Sequence, residues 1–577
     1  MARFLDFPLP KATAWLFCLV LAIGCGGGGE SVDGTGGTGG GTTRFCETDA
    51  ECLAGATNPC AAPSCDTNAG VCISTPLPDG TACNDNAGVC RDGFCAATEL
   101  KAYIKSPTPR ENALFGTTVS ILGDRMIVGA PSTSPDAGRV AIFERGAGGE
   151  WTVDQQIPVP TQGGTQGLFG WSVGAASAAE GSIEDFFVVG TMGLNLSGSG
   201  SVRVYRNRNG EWIQGGGFDF IIPEDGPANS LDLFAASLAL TPDGGTLVVG
   251  SPGHSTGEPP IAFFERDYSG AVYIFNNTNS LWTQEAFLKA SNAGGSYVCE
   301  APCELLACPT SGEGDGFGVS VAISGDTVVV GAPGEASAAT GVDGNENDDS
   351  APGAGAAYVF ERIDDVWQQT AYLKASNTDA GDRFGFAVAI AGDTIAIGAE
   401  REDSASADDQ GDDSAEDAGA VYVFERMGGV WEQTQYLKAS NAEEGFLFGA
   451  NLALSDSTLV VGSPGEGSVG GANSGAAYVF TLVEGAWTQT NFYKAFNADA
   501  GSQFAGPPGS VSYGQASTLN SCEVQATTKG SSLSLFGDTL IVGAPFEDSP
   551  AAGVNGVPTG TPIPNSGAVY VFDNSEQ

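Results

Sequence analysis

The residues of this chain best suited to chemistry are carboxylates and amides gathered in loops. Residues 399–419, AEREDSASADDQGDDSAEDAG, hold nine carboxylates, Glu400, Glu402, Asp403, Asp408, Asp409, Asp412, Asp413, Glu416 and Asp417, against one arginine, Arg401. A second loop, VDGNENDDS, sets Asp343, Asn345, Asn347 and Asp349 at alternate positions. Alternating oxygen donors suit a hard cation such as calcium, which gathers about six to eight oxygens. Asp343, Asn345, Asn347 and Asp349, with Asp408, Asp409, Asp412 and Asp413, are therefore the candidate metal ligands, and calcium is the one candidate cofactor. The acidic tract is equally compatible with a disordered spacer or a partner-binding loop, because charge without apolar residues has nothing to bury.

Imidazole chemistry is almost absent. The chain has one histidine, His254, in the loop-like stretch SPGHSTGEPP. Most hydrolases and zinc enzymes need histidine as base or ligand, so the chain reads as a non-enzyme, although carboxylate-only chemistry survives the argument. With 69 acidic and 23 basic residues the net charge is −46. That excludes nucleic acid and anionic membrane surfaces as partners, since both require basic patches.

The N-terminus points to export. Arg3 and Lys11 precede the apolar run ATAWLFCLVLAIG, residues 12–24, which is too short to span a bilayer and has the form of a signal peptide. It ends in AIGC, similar to the bacterial lipobox, which implies cleavage after residue 24 and acylation of Cys25. Residues 25–45 then form the lipidated cysteine and a glycine-rich tether. This places the protein in the bacterial cell envelope, at the outer membrane, with the lipid anchor as its membrane contact. Eight cysteines crowd the next segment, residues 46–97: Cys46, Cys52, Cys60, Cys65, Cys72, Cys83, Cys90 and Cys95. A segment this short and polar needs disulfides to hold a fold. The connectivity stays open. Four more cysteines lie in two insertions, Cys299, Cys303 and Cys308 in one and Cys522 in the other. They allow either a cross-link between the insertions or one local bridge and two thiols.

Beyond residue 99 the chain repeats itself. FGVSVAISGDTVVVGAP (317–333), FGFAVAIAGDTIAIGAE (384–400) and FGANLALSDSTLVVGSP (448–464) are the clearest units. The glycine of the second run recurs at Gly129, Gly190, Gly250, Gly331, Gly398, Gly462 and Gly543. Each unit holds four β-type runs, and Trp151, Trp212, Trp282, Trp367, Trp431 and Trp487 open the fourth run of units 1 to 6. One tryptophan per unit predicts packing rather than cofactor stacking. Seven four-stranded units predict an all-β, seven-bladed β-propeller over 99–577. Unit 7 lacks its fourth run, and ELKAYIKS (99–106) precedes unit 1 with no unit of its own. The N-terminal strand is therefore expected to complete the last blade and close the ring.

The signature FG…VVVGAP…GAAYVF resembles FG-GAP repeats, which form the N-terminal propeller of integrin α chains and of many bacterial surface proteins. Units here read GAVYVFER…W.Q..YLKASN, like the bacterial kind. The resemblance implies a binding module. Calcium in that family sits between the FG and GAP strands. Here that connection is a tight turn such as IAGDTI (390–395), with one carboxylate, too short to wrap the ion.

Up-and-down blades put the second-to-third loops and the passages between blades on one face. All the long loops fall there: 333–354, 399–419, 464–475 and 545–567. In integrins ligands dock on the corresponding face. The expectation is an exported, lipid-anchored envelope protein binding a protein or glycan ligand on its long-loop face. The alternatives are a structural surface protein without a ligand, or a propeller attached to a hydrolase or lyase, as some phospholipases and lyases resemble this repeat.

Overall fold

A computed structural model describes residues 100–573 except the loops 133–137, 161–166, 177–184, 194–199, 215–219, 224–231, 256–267, 294–313, 469, 507–530 and 557–559. Ahead of residue 100 it describes only the strands Ala61–Asp66, Val71–Pro76, Ala82–Cys83, Gly88–Arg91 and Phe94–Ala97. The chain divides into two compact units, residues 1–57 with 62–75, and 58–61 with 76–577. In the first, Ala61–Asp66 pairs with Val71–Pro76; in the second, a three-stranded sheet spans 82–97 ahead of the large repeat domain. The signal segment, Cys25, the tether and both cysteine insertions lie outside the described residues, as do the side chains on which the disulfides expected in residues 46–97 would rest.

The repeat domain is all-β. Its strands form seven antiparallel four-stranded sheets, one per repeat, with a short extra strand in the second. Blade 5 shows why. Its first strand, Phe384–Ala391, is rich in small residues and lies nearest the axis, where it touches the first strands of blades 4 and 6. A turn at Gly392, φ +55°, leads to Thr394–Ala399, buried throughout except its first residue. The third strand, Ala420–Met427, buries its first five residues, and the two-residue turn Gly428-Gly429, with both φ positive, returns the chain into Val430–Leu437. Positive φ at both centres is the turn whose twist matches a hairpin. The cores lie between blades: one cluster joins Val359 and Leu373 of blade 4 to Ile395, Tyr422 and Trp431 of blade 5. All six tryptophans of the fourth strands are buried, at 2–9% exposure, as packing residues.

Glycine in a strand interior normally weakens it. At six of the seven repeated glycines the carbonyl oxygen of the next blade comes too close for a side chain, and at Gly190 the Ser172 hydroxyl of its own blade does. A Cβ on Gly331 would lie 1.9 Å from the carbonyl oxygen of Gly385, and one on Gly398 2.0 Å from that of Gly449. The same approach closes the ring, since a Cβ on Gly543 would lie 1.9 Å from the oxygen of Gly116 in blade 1. Hydroxyls reinforce it: Ser237 Oγ donates to the Gly318 carbonyl and Ser320 Oγ to the Gly385 carbonyl, both at 2.8 Å. The closing strand is the one expected. Leu100–Ile104 pairs antiparallel with Ala568–Asp573 and completes blade 7.

Candidate functional site: the long-loop face

Four blades carry one buried polar arrangement under this face. Four residues after the strand-two glycine, at the base of the second-to-third loop, stand Glu335, Glu402, Glu466 and Glu547 of blades 4 to 7, each at most 2% exposed. Just past the fourth strand of the same blade comes a buried lysine. Lys374 Nζ donates to Glu335 Oε2 at 3.0 Å and Lys438 Nζ to Glu402 Oε2 at 2.8 Å. Lys494 pairs with Glu466 and Lys105 with Glu547 in the same way. Lys105 follows the closing N-terminal strand, so this pair ties residue 105 to residue 547.

The preceding blade supplies a third member. Asn292, Asn377, Asn441 and Asn497 donate Nδ2 to these glutamates, at 3.1, 3.0, 3.5 and 2.7 Å. Their Oδ1 atoms accept from the buried tyrosines of the next blade, Tyr358, Tyr422, Tyr478 and Tyr570, at 2.5–2.7 Å. Each glutamate also accepts the backbone N–H two residues on, from Ser337, Ser404, Ser468 or Ser549. In blades 4 to 6 a glutamine of the fourth strand reaches back to the serine of the preceding blade: Gln369 to Ser291, Gln433 to Ser376 and Gln489 to Ser440, at 2.7–2.9 Å. The repeated letters W.Q..YLKASN thus spell a latch between consecutive blades.

Burial pushes all four lysines below their usual range, against the opposing pull of their glutamates. It also raises the tyrosines, helped by the same carboxylates. A buried carboxylate with one cation and at least two further donors is satisfied, and removing any one donor exposes the rest to a large desolvation cost.

The acidic tract 399–419 folds onto this frame. Disorder across its middle was an open expectation, on the ground that the tract has nothing to bury. Yet it buries Glu400, Glu402, Ser404, Ala415 and Ala418. Glu400 pairs with the buried Arg383 at 3.3 Å. Glu402 takes the latch bonds and the Tyr436 hydroxyl at 2.7 Å. Ser404 Oγ bonds the Asp409 carbonyl, and Asn377 Nδ2 and Ser376 Oγ of blade 4 bond the carbonyl and side chain of Gln410 at 2.8 and 2.6 Å. The tract is a loop pinned at base and crest. Asp382 lies beneath it at 3% exposure. Burial, with the nearby Glu402, Asp379 and Asp403, raises its carboxyl to about 8, although it accepts the Asp379 N–H at 3.0 Å.

The eight candidate metal ligands fall in two separate loops. Asp343 Oδ1 accepts the Tyr372 N–H at 3.0 Å, and residues 341–343 run beside the end of the fourth strand of blade 4. Asn555 does the same for Tyr103 in blade 7, at 2.9 Å, so a neutral amide fills the role of Asp343. Asn345 Oδ1 accepts the Asn347 N–H at 3.3 Å, and Asp349 is exposed. In the acidic tract Asp409 Oδ1 accepts the Gly411 N–H at 3.2 Å. Asp408 and Asp413 are exposed and Asp412 half-buried. Among the described residues, no three histidine, cysteine, aspartate or glutamate side chains stand together as a metal site. His254 is half-buried in blade 3, at the position of the latch glutamate, with its ring 5.4 Å from that of Phe287.

The residues not singled out from sequence are the latch residues themselves. Their signal was present as a glutamate four residues after each strand-two glycine in four consecutive units, matched by a lysine in each YLKASN-like run.

Residues 309–360, 367–424 and 431–480 match the FG-GAP repeat. These are blades 4 to 6. No curated protein matches the chain. Among solved structures the chain is similar to the periplasmic gluconolactonase of Pseudomonas aeruginosa, at 12% identity over 76% of this chain and 93% of that one, with a TM-score of 0.37. It is also similar to the WD40 domain of Toxoplasma gondii coronin, at 9% identity over 69% and 75%, TM-score 0.38. A third similarity is to Sqt1 of Saccharomyces cerevisiae, at 9% identity over 83% and 100%, TM-score 0.36.

Proposed function

We propose that this FG-GAP propeller is a non-enzymatic binding module of the bacterial cell envelope, exported and held by a lipid on Cys25, which presents its long-loop face to a protein or glycan. The observation that carries the reading is the pinning of the most acidic loop, whose exposed Asp408, Asp409 and Asp413 stand on a base fixed by Glu402 and Lys438. Recognition loops on a rigid scaffold lose little freedom on binding. An inert surface needs no such anchoring. Calcium at the exposed loop carboxylates would be an accessory to this role, and a melting curve with calcium and with chelator tests it.

The experiment is affinity retention from envelope extract. The immobilised full-length chain should retain a protein or glycan identifiable by mass spectrometry. A variant with residues 405–414 replaced by a short glycine-serine bridge should keep its melting temperature and lose that ligand. If the wild-type chain retains nothing, a structural role without a ligand is the better reading. Turnover of ester or glycan substrates by the chain would instead favour the enzyme class.

A further inference from the structure

The four latched blades differ at their outer edges. In blade 4 the second-to-third loop runs back along the fourth strand at residues 341–343. The Asp343 N–H donates to the Tyr372 carbonyl at 2.8 Å, the Lys374 N–H to that of Gly341 at 2.8 Å, and the Gly341 N–H to that of Ala375 at 3.3 Å. Asp343 Oδ1 takes the Tyr372 N–H. Blade 7 repeats this bond for bond. The Asn555 N–H donates to Tyr103 at 2.7 Å, the Lys105 N–H to Gly553 at 2.9 Å and the Gly553 N–H to Ser106 at 3.4 Å, while Asn555 Oδ1 takes the Tyr103 N–H.

The two segments share a sequence. GVDG, residues 341–344, and GVNG, residues 553–556, each begin four residues after a loop serine, Ser337 or Ser549. The letters follow from the backbone. Gly341 and Gly553 have φ of +75° and +70°, Asp343 and Asn555 of +53° and +52°, a region open to glycine and tolerated by Asp and Asn. Val342 lies opposite Leu373 and Val554 opposite Ile104, and each packs on the cluster that joins its blade to the next. Both segments are a short fifth strand.

Blade 6 has the edge without the cover. Its second-to-third loop, 464–475, is the shortest of the four and has no such motif. Its outer strands pair in the register of blade 4, Tyr478 with Phe492 as Tyr358 with Tyr372. Antiparallel strands bond alternate residues inward and outward, so the Phe492 N–H and C=O face outward as those of Tyr372 do. Among the described residues no group bonds them or the Lys494 N–H. Side-chain exposure agrees: Tyr372 and Tyr103 are 2% and 4% exposed under their fifth strands, and Phe492 is 38% exposed. The edge of blade 5 is also uncovered, but there Glu402 holds the Tyr436 hydroxyl and the ring is half-buried. A bare edge with an exposed apolar side chain is a template for another strand.

We propose that the outer edge of blade 6, residues 492–495, accepts an extended segment of a protein ligand as its fifth strand, the segment reading Gly, an apolar residue, Asn or Asp, then Gly. Blades 4 and 7 show what fits this place. The apolar residue lies opposite Tyr493, as Val342 lies opposite Leu373, and the amide or carboxylate accepts the Phe492 N–H. Strand addition draws affinity from main-chain bonds and specificity from side chains at alternate positions. The inference rests on the reading of the long-loop face as a binding surface, whose rim this edge forms beside Lys494, and it makes the ligand a protein.

The probe is a fluorescein-labelled peptide copying residues 549–556, SPAAGVNG, titrated with the full chain to millimolar concentration. Anisotropy should rise to saturation, and amides of residues 491–495 should exchange more slowly when the peptide is present. A peptide of the same composition in scrambled order should do neither. Phe492→Pro removes the outward N–H and leaves the inward pairing, a change that edge strands accept. It should weaken binding about fivefold, the worth of one hydrogen bond. A second variant carries a copy of residues 550–556 after Ser468, so that blade 6 covers its own edge, and should lose the peptide altogether with its fold intact by circular dichroism. Absence of saturable binding, equal binding of the scrambled peptide, or binding undiminished by either change overturns the proposal, whether or not envelope extract yields a ligand.

Discussion

Blades 4 to 7 and blades 1 to 3 share a fold and differ in what joins them. At each junction from blade 3 to blade 7 an asparagine of one blade, a glutamate and a tyrosine of the next, and that blade's lysine form one buried network. In blades 1, 2 and 3 the glutamate position holds Thr133, Leu194 and His254. Blade 3 keeps its lysine, yet Lys289 donates to the Ser269 hydroxyl and the Gly270 carbonyl. The junction of blades 1 and 2 keeps the exchange of Gln155 with the Trp212 backbone, a pair of bonds that Gln435 and Trp487 repeat between blades 5 and 6. Close approach at the strand-two glycines is common to both halves, so ring closure does not depend on the latch. What the latched half adds is a fixed base for loops too polar to pack by themselves.

The largest effect should come from orphaning a latch carboxylate. Lys438→Met leaves Glu402 buried with no cation, and a loss of about 3–5 kcal/mol is expected in urea unfolding. Lys289→Met in blade 3 should lose clearly less, and equal losses would erase the distinction between the halves. Next in size, Asn377→Ala strips partners from Tyr422, Glu402 and Gln410 at once, for about 1–3 kcal/mol. Gln155→Ala in the unlatched half breaks two half-buried backbone bonds and should cost about 1 kcal/mol.

A smaller effect tests charge under the acidic loop. The Asp382 carboxyl is raised in the folded state, so the folded chain holds that proton more tightly than the unfolded chain. Its contribution is fully present below pH of about 4 and is lost as pH rises through about 8. Asp382→Asn should match wild type in melting temperature near pH 4 and exceed it progressively toward pH 8. A constant difference across that range would show that Asp382 is ionised throughout. The smallest effect concerns Asp343: Asp343→Asn should leave stability unchanged, since Asn555 performs the same bond in blade 7.

The fold was legible because its rules are local and repeated. Seven glycines, six tryptophans and an unmatched strand at each end specify blades, packing and closure without long-range information. The latch was harder to see because its members are polar residues up to 442 positions apart, as in Lys105 and Glu547, and sequence does not say which carboxylates are buried. The acidic tract misled for the same reason. Its composition suggests a solvated spacer, but Glu400 and Glu402 differ from their seven acidic neighbours only in standing where strand two delivers them to Arg383 and Lys438.

Backbone hydrogen exchange over 400–419 tests the central claim most directly. The Ser404 N–H donates to Glu402, and the Ala415 and Gly419 N–H groups donate to the Asp403 and Glu402 carbonyls. The pinned loop predicts slowed exchange at these amides in the wild-type chain, and fast exchange in Lys438→Met while the strands of blades 1 to 3 stay protected. Exchange at unstructured rates in the wild type would contradict it, leaving the tract a solvated spacer.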